Sequence, residues 1–266
     1  MSIITLLTDF GAQDYFAGAM KGVILSLNPD ATIVDITHEI PPQDIQAAAF
    51  NLLACYKDFP AGTIHIAVVD PGVGSNRHAI VVECADQFFV GPDNGVFSWI
   101  TEREGNFSAW QITNEKFFRM AVSATFQGRD VFAPVAAALS KGVAPAQVGP
   151  PLENIVMLEP LTPRTMADDL EGSIIHIDRF GNCITNFTAE HVSEERVAAG
   201  AKLIVNKKEI TSIRRFFADN SGPKTELFML VGSAGFVEIA AQNSSAAATL
   251  SAKRGDSVLF IHDDRR

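Results

Sequence analysis

A chain of 266 residues exceeds the usual single domain, so two domains are expected, and 47% apolar residues supply a core for each. Its 21 Lys and Arg against 31 Asp and Glu give a net charge of −10. That balance argues against a nucleic-acid partner, which needs clustered positive charge, and favours a neutral or cationic small molecule.

The apolar start Met1-Ser2-Ile3-Ile4-Thr5-Leu6-Leu7 has no basic region and no cleavage site, so it reads as a first strand and not as a signal peptide. Strands are expected at Ile3–Leu7, Thr32–Ile36, Thr63–Val69, Ala79–Cys84 and Phe88–Val90. Phe16, Met20, Val23 and Leu27, then Ile45, Ala49, Leu52 and Tyr56, recur at helical spacing after the first two strands. Strands alternating with helices predict an α/β domain with a mostly parallel, covered sheet over residues 1–160. Pro150-Pro151 and the polar stretch from Leu161 to Asp169 mark the boundary. Beyond it, short strands at Ser173–Ile177, Ile184–Phe187, Lys202–Val205, Leu227–Val231, Phe236–Ala240 and Ser257–Ile261 predict a small β domain over residues 168–266. Cys55, Cys84 and Cys183 are widely spaced and form no Cys-x-x-Cys pair, which disfavours a disulfide framework and a zinc site. No apolar run reaches membrane-spanning length. A cytoplasmic, reduced protein without a membrane partner is expected.

Dinucleotide, Walker, nucleophile-elbow and zinc-protease signatures are absent, which moves the search for chemistry to loops at strand ends. Four loops set polar residues against glycine: Thr8-Asp9-Phe10-Gly11, Asp70 to Arg77, Gly91-Pro92-Asp93-Asn94-Gly95 and Gln127-Gly128-Arg129-Asp130. Asp9 ends the first strand, where it serves either a ligand or a helix cap. Asp70 and Arg77 are a ligand site or a structural ion pair. Asp93-Asn94-Gly95 reads as a turn or a ligand loop, and Asp130 as a helix cap or a site residue. His65 and His176 lie inside strand patterns and read as satisfied core residues.

These loops, together with Asp35-Ile36-Thr37-His38-Glu39-Ile40-Pro41-Pro42, Val69-Asp70-Pro71-Gly72-Val73-Gly74, Gly128-Arg129-Asp130-Val131-Phe132-Ala133-Pro134, Asp178-Arg179-Phe180-Gly181-Asn182 and Gly232-Ser233-Ala234-Gly235-Phe236-Val237-Glu238-Ile239-Ala240, follow one another in a specific order. In that order they resemble the S-adenosyl-L-methionine (SAM) hydroxide adenosyltransferase family, the SAM hydrolases related to fluorinase and chlorinase. The resemblance runs from residue 3 to about residue 260. It implies a homotrimer in which the α/β domain of one subunit and the β-barrel domain of the next enclose each site, with SAM as substrate and no cofactor.

The resemblance also implies residue roles. Asp9 holds the ribose hydroxyls, Asp178 the methionine ammonium, Asn182 and Phe217 the adenine, and Ser233 the methionine carboxylate, while Asn94 and Glu238 belong to the same substrate-binding motifs. Asp70 and Arg77 match two members of an Asp-Arg-His set that positions the attacking water, and Gln127 stands where that set has its histidine. The fluorinase pattern fits less well, because Gln43 stands in place of its tryptophan and its inserted loop is missing. The expected reaction is attack of water or hydroxide on the ribose 5′ carbon, expelling methionine as a neutral thioether that needs no general acid. The alternatives are metal-assisted hydrolysis by Asp9, Asp70 and Asp93, a SAM-dependent halogenase, and a non-catalytic protein that binds adenosine or SAM.

Overall fold

Ile4, Leu6 and Leu7 are fully buried in β1 (Ile3–Thr8), as a strand covered on both faces requires. The computed structural model describes residues 2–166, 169–219 and 226–262. Residue 168, the expected start of the second domain, lies outside the described residues. The chain divides into two units, Met1–Pro160 and Leu161–Arg266.

In the first unit β1 is followed by α1 (Phe16–Leu27), β2 (Thr32–Thr37), α2 (Ile45–Cys55), β3 (Ile64–Val68), β4 (Ala79–Cys84) and β5 (Gln87–Pro92). Then come α3 (Ser98–Glu104), β6 (Ser108–Gln111), α4 (Ala133–Ser140) and β7 (Pro151–Leu152). The sheet order is β2-β1-β3-β5-β4-β6-β7. The first four strands are parallel, whereas β4, β6 and β7 add antiparallel. The change of direction has a local cause: Ala85 and Asp86, at φ of 53° and 57°, join β4 to β5 in a two-residue hairpin too short for a parallel crossover. Alternation along the strands puts Ile4, Leu6, Ile64, Ile66 and Val68 in one cluster with Met20 and Ile24 of α1 and Val135, Ala136 and Leu139 of α4. No helix among the described residues is long and apolar enough to cross a membrane.

This topology decides where chemistry collects. The chain leaves β1 for β2 on one side and reaches β3 on the other, so the carboxyl ends of β1 and β3 form a topological switch point, the usual ligand crevice of open α/β sheets. Asp9, Asp70 and Asn94 follow β1, β3 and β5 at that edge.

In the second unit β8 (Arg164–Met166), β9 (Asp169–Ile177), β10 (Cys183–Thr188), α5 (Glu194–Ala198), β11 (Lys202–Val205) and β12 (Lys208–Ile210) are followed by β13 (Leu227–Val231), β14 (Phe236–Ala241), α6 (Ala246–Leu250) and β15 (Ser257–Ile261). The order is β12-β11-β15-β9-β10-β14-β13, with β8 on β9. The segment after β12 returns to β13: Met229 N donates to Ser212 O at 2.7 Å and Arg214 N to Met229 O at 2.8 Å. These bonds join the two ends of the sheet into a nearly closed barrel, which removes the exposed edges. Phe187, Leu203, Met229, Ile239 and Phe260 fill its core.

His65, on β3, is fully buried. Gln87 Nε2 donates to Tyr56 O and Phe59 O at 3.0 and 2.8 Å, so its Oε1, 3.3 Å from His65 Nε2, accepts from the ring. Nδ1, 2.8 Å from Thr5 Oγ1, is then the acceptor. Phe89 stacks on the imidazole at 5.0 Å. Burial lowers its pKa from 6.5 to about 4, with the Gln87 hydrogen bond opposing the shift. Between those two values the unfolded chain binds a proton that the folded chain refuses. The stability His65 contributes is therefore complete above 6.5 and is lost as pH falls toward 4. Urea unfolding near pH 7 and about pH 4.5 is expected to differ by up to about 3 kcal/mol from this residue. The difference should shrink in His65→Asn; an undiminished loss in the variant would assign the acid sensitivity elsewhere.

Candidate functional site

At the sheet edge, the loops after β1 and β2 hold Asp9 between them. Gln43 N donates to Asp9 Oδ2 at 2.8 Å, Gly11 N to His38 O at 2.7 Å, and Ile40 N to Thr8 O at 3.4 Å. The other carboxylate oxygen of Asp9 takes no part in these bonds. Asn94 behaves first as a brace: its Nδ2 donates to Val69 O at 2.8 Å and its Oδ1 accepts from Val96 N at 3.3 Å, tying the end of β5 to the start of the Asp70 loop. Asp93 is buried and accepts from Val156 N at 2.8 Å, which makes it a structural turn residue. Among the described residues, no three His, Cys, Asp or Glu side chains are grouped as metal ligands would be.

Asp70, Arg77 and Gln127 come together. Arg77 Nε donates to Asp70 Oδ1 and Oδ2 at 3.0 and 3.1 Å, and its Nη2 donates to Asp70 Oδ2 and, at 2.5 Å, to Gln127 Oε1. The pair is nearly sealed, with the side chains of Arg77 and Asp70 11% and 5% exposed. Arg77 also lies over the Phe132 ring, 5.5 Å from its centroid. Because Arg77 can only donate, Gln127 must present its amide oxygen to the guanidinium, and its Nε2 keeps two N–H donors for another partner.

The local backbone is shaped for this meeting. Gly74 adopts φ +79°, and a Cβ there would sit 2.8 Å from Ala124 O, so the Asp70 loop reaches the 123–127 segment only through a glycine. Gln127 immediately precedes a π-helical turn, Gly128–Phe132, that leads into α4, a feature often found at functional sites. Asp130 lies inside this turn and is not a helix cap. Its buried carboxylate accepts from Arg129 Nε at 2.7 Å, Arg129 Nη2 at 2.9 Å and Ser123 N at 2.8 Å. The hydrogen bonds from Arg129 hold it below the usual carboxylate range. It thereby pins the segment that delivers Gln127.

The second unit carries a separate set. Asp178 Oδ1 accepts from Phe180 N at 2.9 Å and Asn182 N at 2.8 Å, and its Oδ2 accepts from Asn182 Nδ2 at 2.9 Å, so this carboxylate shapes its own loop. Asn182, 6% exposed, lines a cavity of about 650 Å³ with Phe180, Phe217, Phe228, Gln242 and Asn243. Phe180 and Phe217 are exposed aromatics on its rim, and Phe217 meets Phe228 edge-on at 6.5 Å. Ser233 is exposed in the turn between β13 and β14. Glu238 tucks beneath that turn, where a Cβ on residue 232 would lie 1.8 Å from its Oε1, so any larger residue there would displace the Glu238 carboxylate. Burial raises the Glu238 pKa, and the negative charge of Asp178 adds to the rise.

Sequence reasoning missed Phe228, Gln242 and Asn243 in the cavity wall. The polar pair following the apolar strand β14 was the available signal.

Residues 4–149 match the family model described as the SAM hydroxide adenosyltransferase N-terminal domain, and residues 172–259 match that of its C-terminal domain. The chain is 36% identical over 269 residues to the (R)-S-adenosyl-L-methionine hydrolase of Methanocaldococcus jannaschii, an alignment covering 98% of this chain and 97% of that protein. It is 26% identical to a fluorinase of Nocardia brasiliensis, over 96% of this chain and 95% of that one. A crystal structure of an uncharacterised conserved protein from Thermotoga maritima superposes with a TM-score of 0.90 at 36% identity, covering 97% of this chain and 100% of that chain.

The sealed pair makes a stability prediction. Arg77→Met leaves Asp70 with a buried, uncompensated charge and is expected to lower the unfolding free energy by about 3–5 kcal/mol in chemical denaturation. Adding Asp70→Asn should recover much of that loss. A cost below about 1 kcal/mol for the single variant would show a solvated pair.

Proposed function

The chain belongs to the SAM hydroxide adenosyltransferase family, and from that premise we propose that it hydrolyses S-adenosyl-L-methionine to adenosine and L-methionine. Oxygen from water or hydroxide bonds to the ribose 5′ carbon, the bond from that carbon to sulfur breaks, and its electron pair returns to sulfur. The leaving group is a neutral thioether and takes no proton. With hydroxide as nucleophile, its negative charge and the sulfonium's positive charge cancel in the transition state, so preorganised dipoles in a site closed to bulk water favour the reaction.

The observation that carries this reading is the contact of Arg77 with both Asp70 and Gln127. In the proposed mechanism the guanidinium favours the deprotonated form of a bound water. Asp70 fixes the guanidinium plane, and the Gln127 Nε2 donors hold the oxygen in line with the reacting carbon. Asp9 takes the ribose hydroxyls on its remaining oxygen. Asn182 and Phe217 take the adenine, a role supported by an amide and an aromatic rim on one cavity. Asp178 meets the substrate ammonium through lone pairs its loop bonds leave over, Ser233 meets the carboxylate, and Glu238 supports the turn that carries Ser233.

Asp9 and Asp70 belong to one unit and Asn182, Phe217 and Ser233 to the other. The proposed assembly is a homotrimer in which a neighbouring subunit completes each site. The M. jannaschii relative is named for the (R) form of the substrate, and the same preference is proposed here.

Incubation with SAM and chromatography of the products tests the reading. Adenosine and methionine in equal amounts, with faster loss of the (R) form, are expected. Unchanged SAM with tight binding would replace hydrolysis by the binding-protein reading, for which glutamine in the histidine position is the specific support. The rate is expected to rise with pH as hydroxide becomes available. Gln127→His, which adds a group able to accept a proton, is expected to raise turnover by about 10²–10⁴-fold with little change in SAM affinity. A Gln127→His rate at or below the native one, at matched folding, would remove position 127 from the nucleophile.

A further inference from the structure

The motif Asp35 to Pro42 has no part in the chemistry above, yet it supplies the wall against which Asp9 is held. We propose that His38 is a positioning residue that fixes the Asp9 carboxylate for substrate binding, an inference that rests on the assignment of Asp9 to the ribose hydroxyls. Of the bonds that clasp residues 8–11 to residues 38–43, three involve backbone N–H groups. The fourth is the contact of His38 Nδ1 with Thr8 Oγ1 at 2.8 Å.

Thr8 is fully buried beside Asp9. Its Oγ1 accepts from Phe10 N at 3.2 Å, and because the Asp35 carboxylate beside His38 Nε2 calls for a proton on that nitrogen, the Thr8 hydroxyl donates to Nδ1. His38 Nε2 lies 3.1 Å from Asp35 Oδ1 without the alignment of a hydrogen bond. Asp35 is in turn held by Lys21 of α1 at 2.5 Å. The ring, with its side chain 11% exposed, thus stands wedged between an ion pair anchored on α1 and the hydroxyl that precedes Asp9. Five residues beyond His38, Gln43 donates to Asp9 from a backbone at φ 65°, a conformation a non-glycine residue holds only when its surroundings impose it. Removing the imidazole frees the Thr8 rotor and loosens the clasp on both sides of Asp9. Contacts to ribose hydroxyls are made in the ground state and the transition state alike, so their loss raises KM and leaves kcat in place.

The test compares His38→Ala, His38→Asn and His38→Gln, each confirmed folded by its unfolding transition. Calorimetry with adenosine and steady-state kinetics with SAM supply the readouts. An asparagine amide reaches the position of Nδ1 and a glutamine amide that of Nε2. His38→Ala and His38→Gln are expected to lose up to about tenfold in adenosine affinity, the range of one hydrogen bond. KM should rise in parallel with kcat unchanged, and His38→Asn should restore both. In an Asp9→Ala background, His38→Ala should cause no further loss. Native-like binding by His38→Ala beside a weakened Asp9→Ala would overturn this proposal alone, as would additive losses in the double variant or a fall in kcat at constant KM. Native-like adenosine binding by Asp9→Ala would overturn the Asp9 assignment and this proposal with it.

Discussion

A guanidinium nearly closed off from solvent is held in a fold only by an anion placed against it, and Asp70 does this for Arg77 through a two-point contact. Much of the sheet edge is arranged around that requirement. Asp70 must leave β3 at a fixed height, which Asn94 secures by bonding Val69 O. The chain must then turn back within seven residues to bring Arg77 alongside, and Gly74 allows the turn to touch the segment of Ala124. That segment is itself tied down by Asp130 through Ser123 N and Arg129. Gln127 arrives with its amide oxygen toward Arg77 because no other orientation satisfies a donor-only neighbour.

The same arrangement limits the chemistry. Both Asp70 oxygens are engaged by Arg77, and the Gln127 oxygen is engaged as well, so the cluster offers donors and positive charge in preference to a strong base. Such a set suits an anionic nucleophile and a leaving group that departs neutral. It does not suit a reaction that must pull a proton from a weakly acidic nucleophile and deliver another to a leaving group. The proposed sulfonium reaction makes neither demand.

The strands at the sheet centre were legible in the sequence because two-sided burial writes continuous apolar runs, as in Ile3–Thr8 and Ile64–Val68. Their ends were legible because Asp, Gly and Pro punctuate them. The short strands β6, β7, β8 and β12 left no such run, since they are two to four residues long and are held by pairing more than by burial. Sequence left Asp130 open between a cap and a site residue because an acidic residue three positions before Ala133-Pro134 looks the same whether it faces an amide or an arginine. The cavity wall of the second unit was partly hidden for a similar reason: Gln242 and Asn243 resemble any polar turn after a strand.

By itself the sequence determined the order of the longer strands and of the first two helices, the residue types at each strand end, and the ordered motifs that mark the family, because these depend on local periodicity and on which residues stand in line. Tertiary structure alone decided which of those residues meet. Seven residues separate Asp70 from Arg77 and fifty separate Arg77 from Gln127, and no local rule brings the third to the first two. The parallel crossovers, the glycine-dependent approach of two loops and the π-helical turn before α4 do so, because sheet register and helix packing fix where each loop begins and how far it reaches.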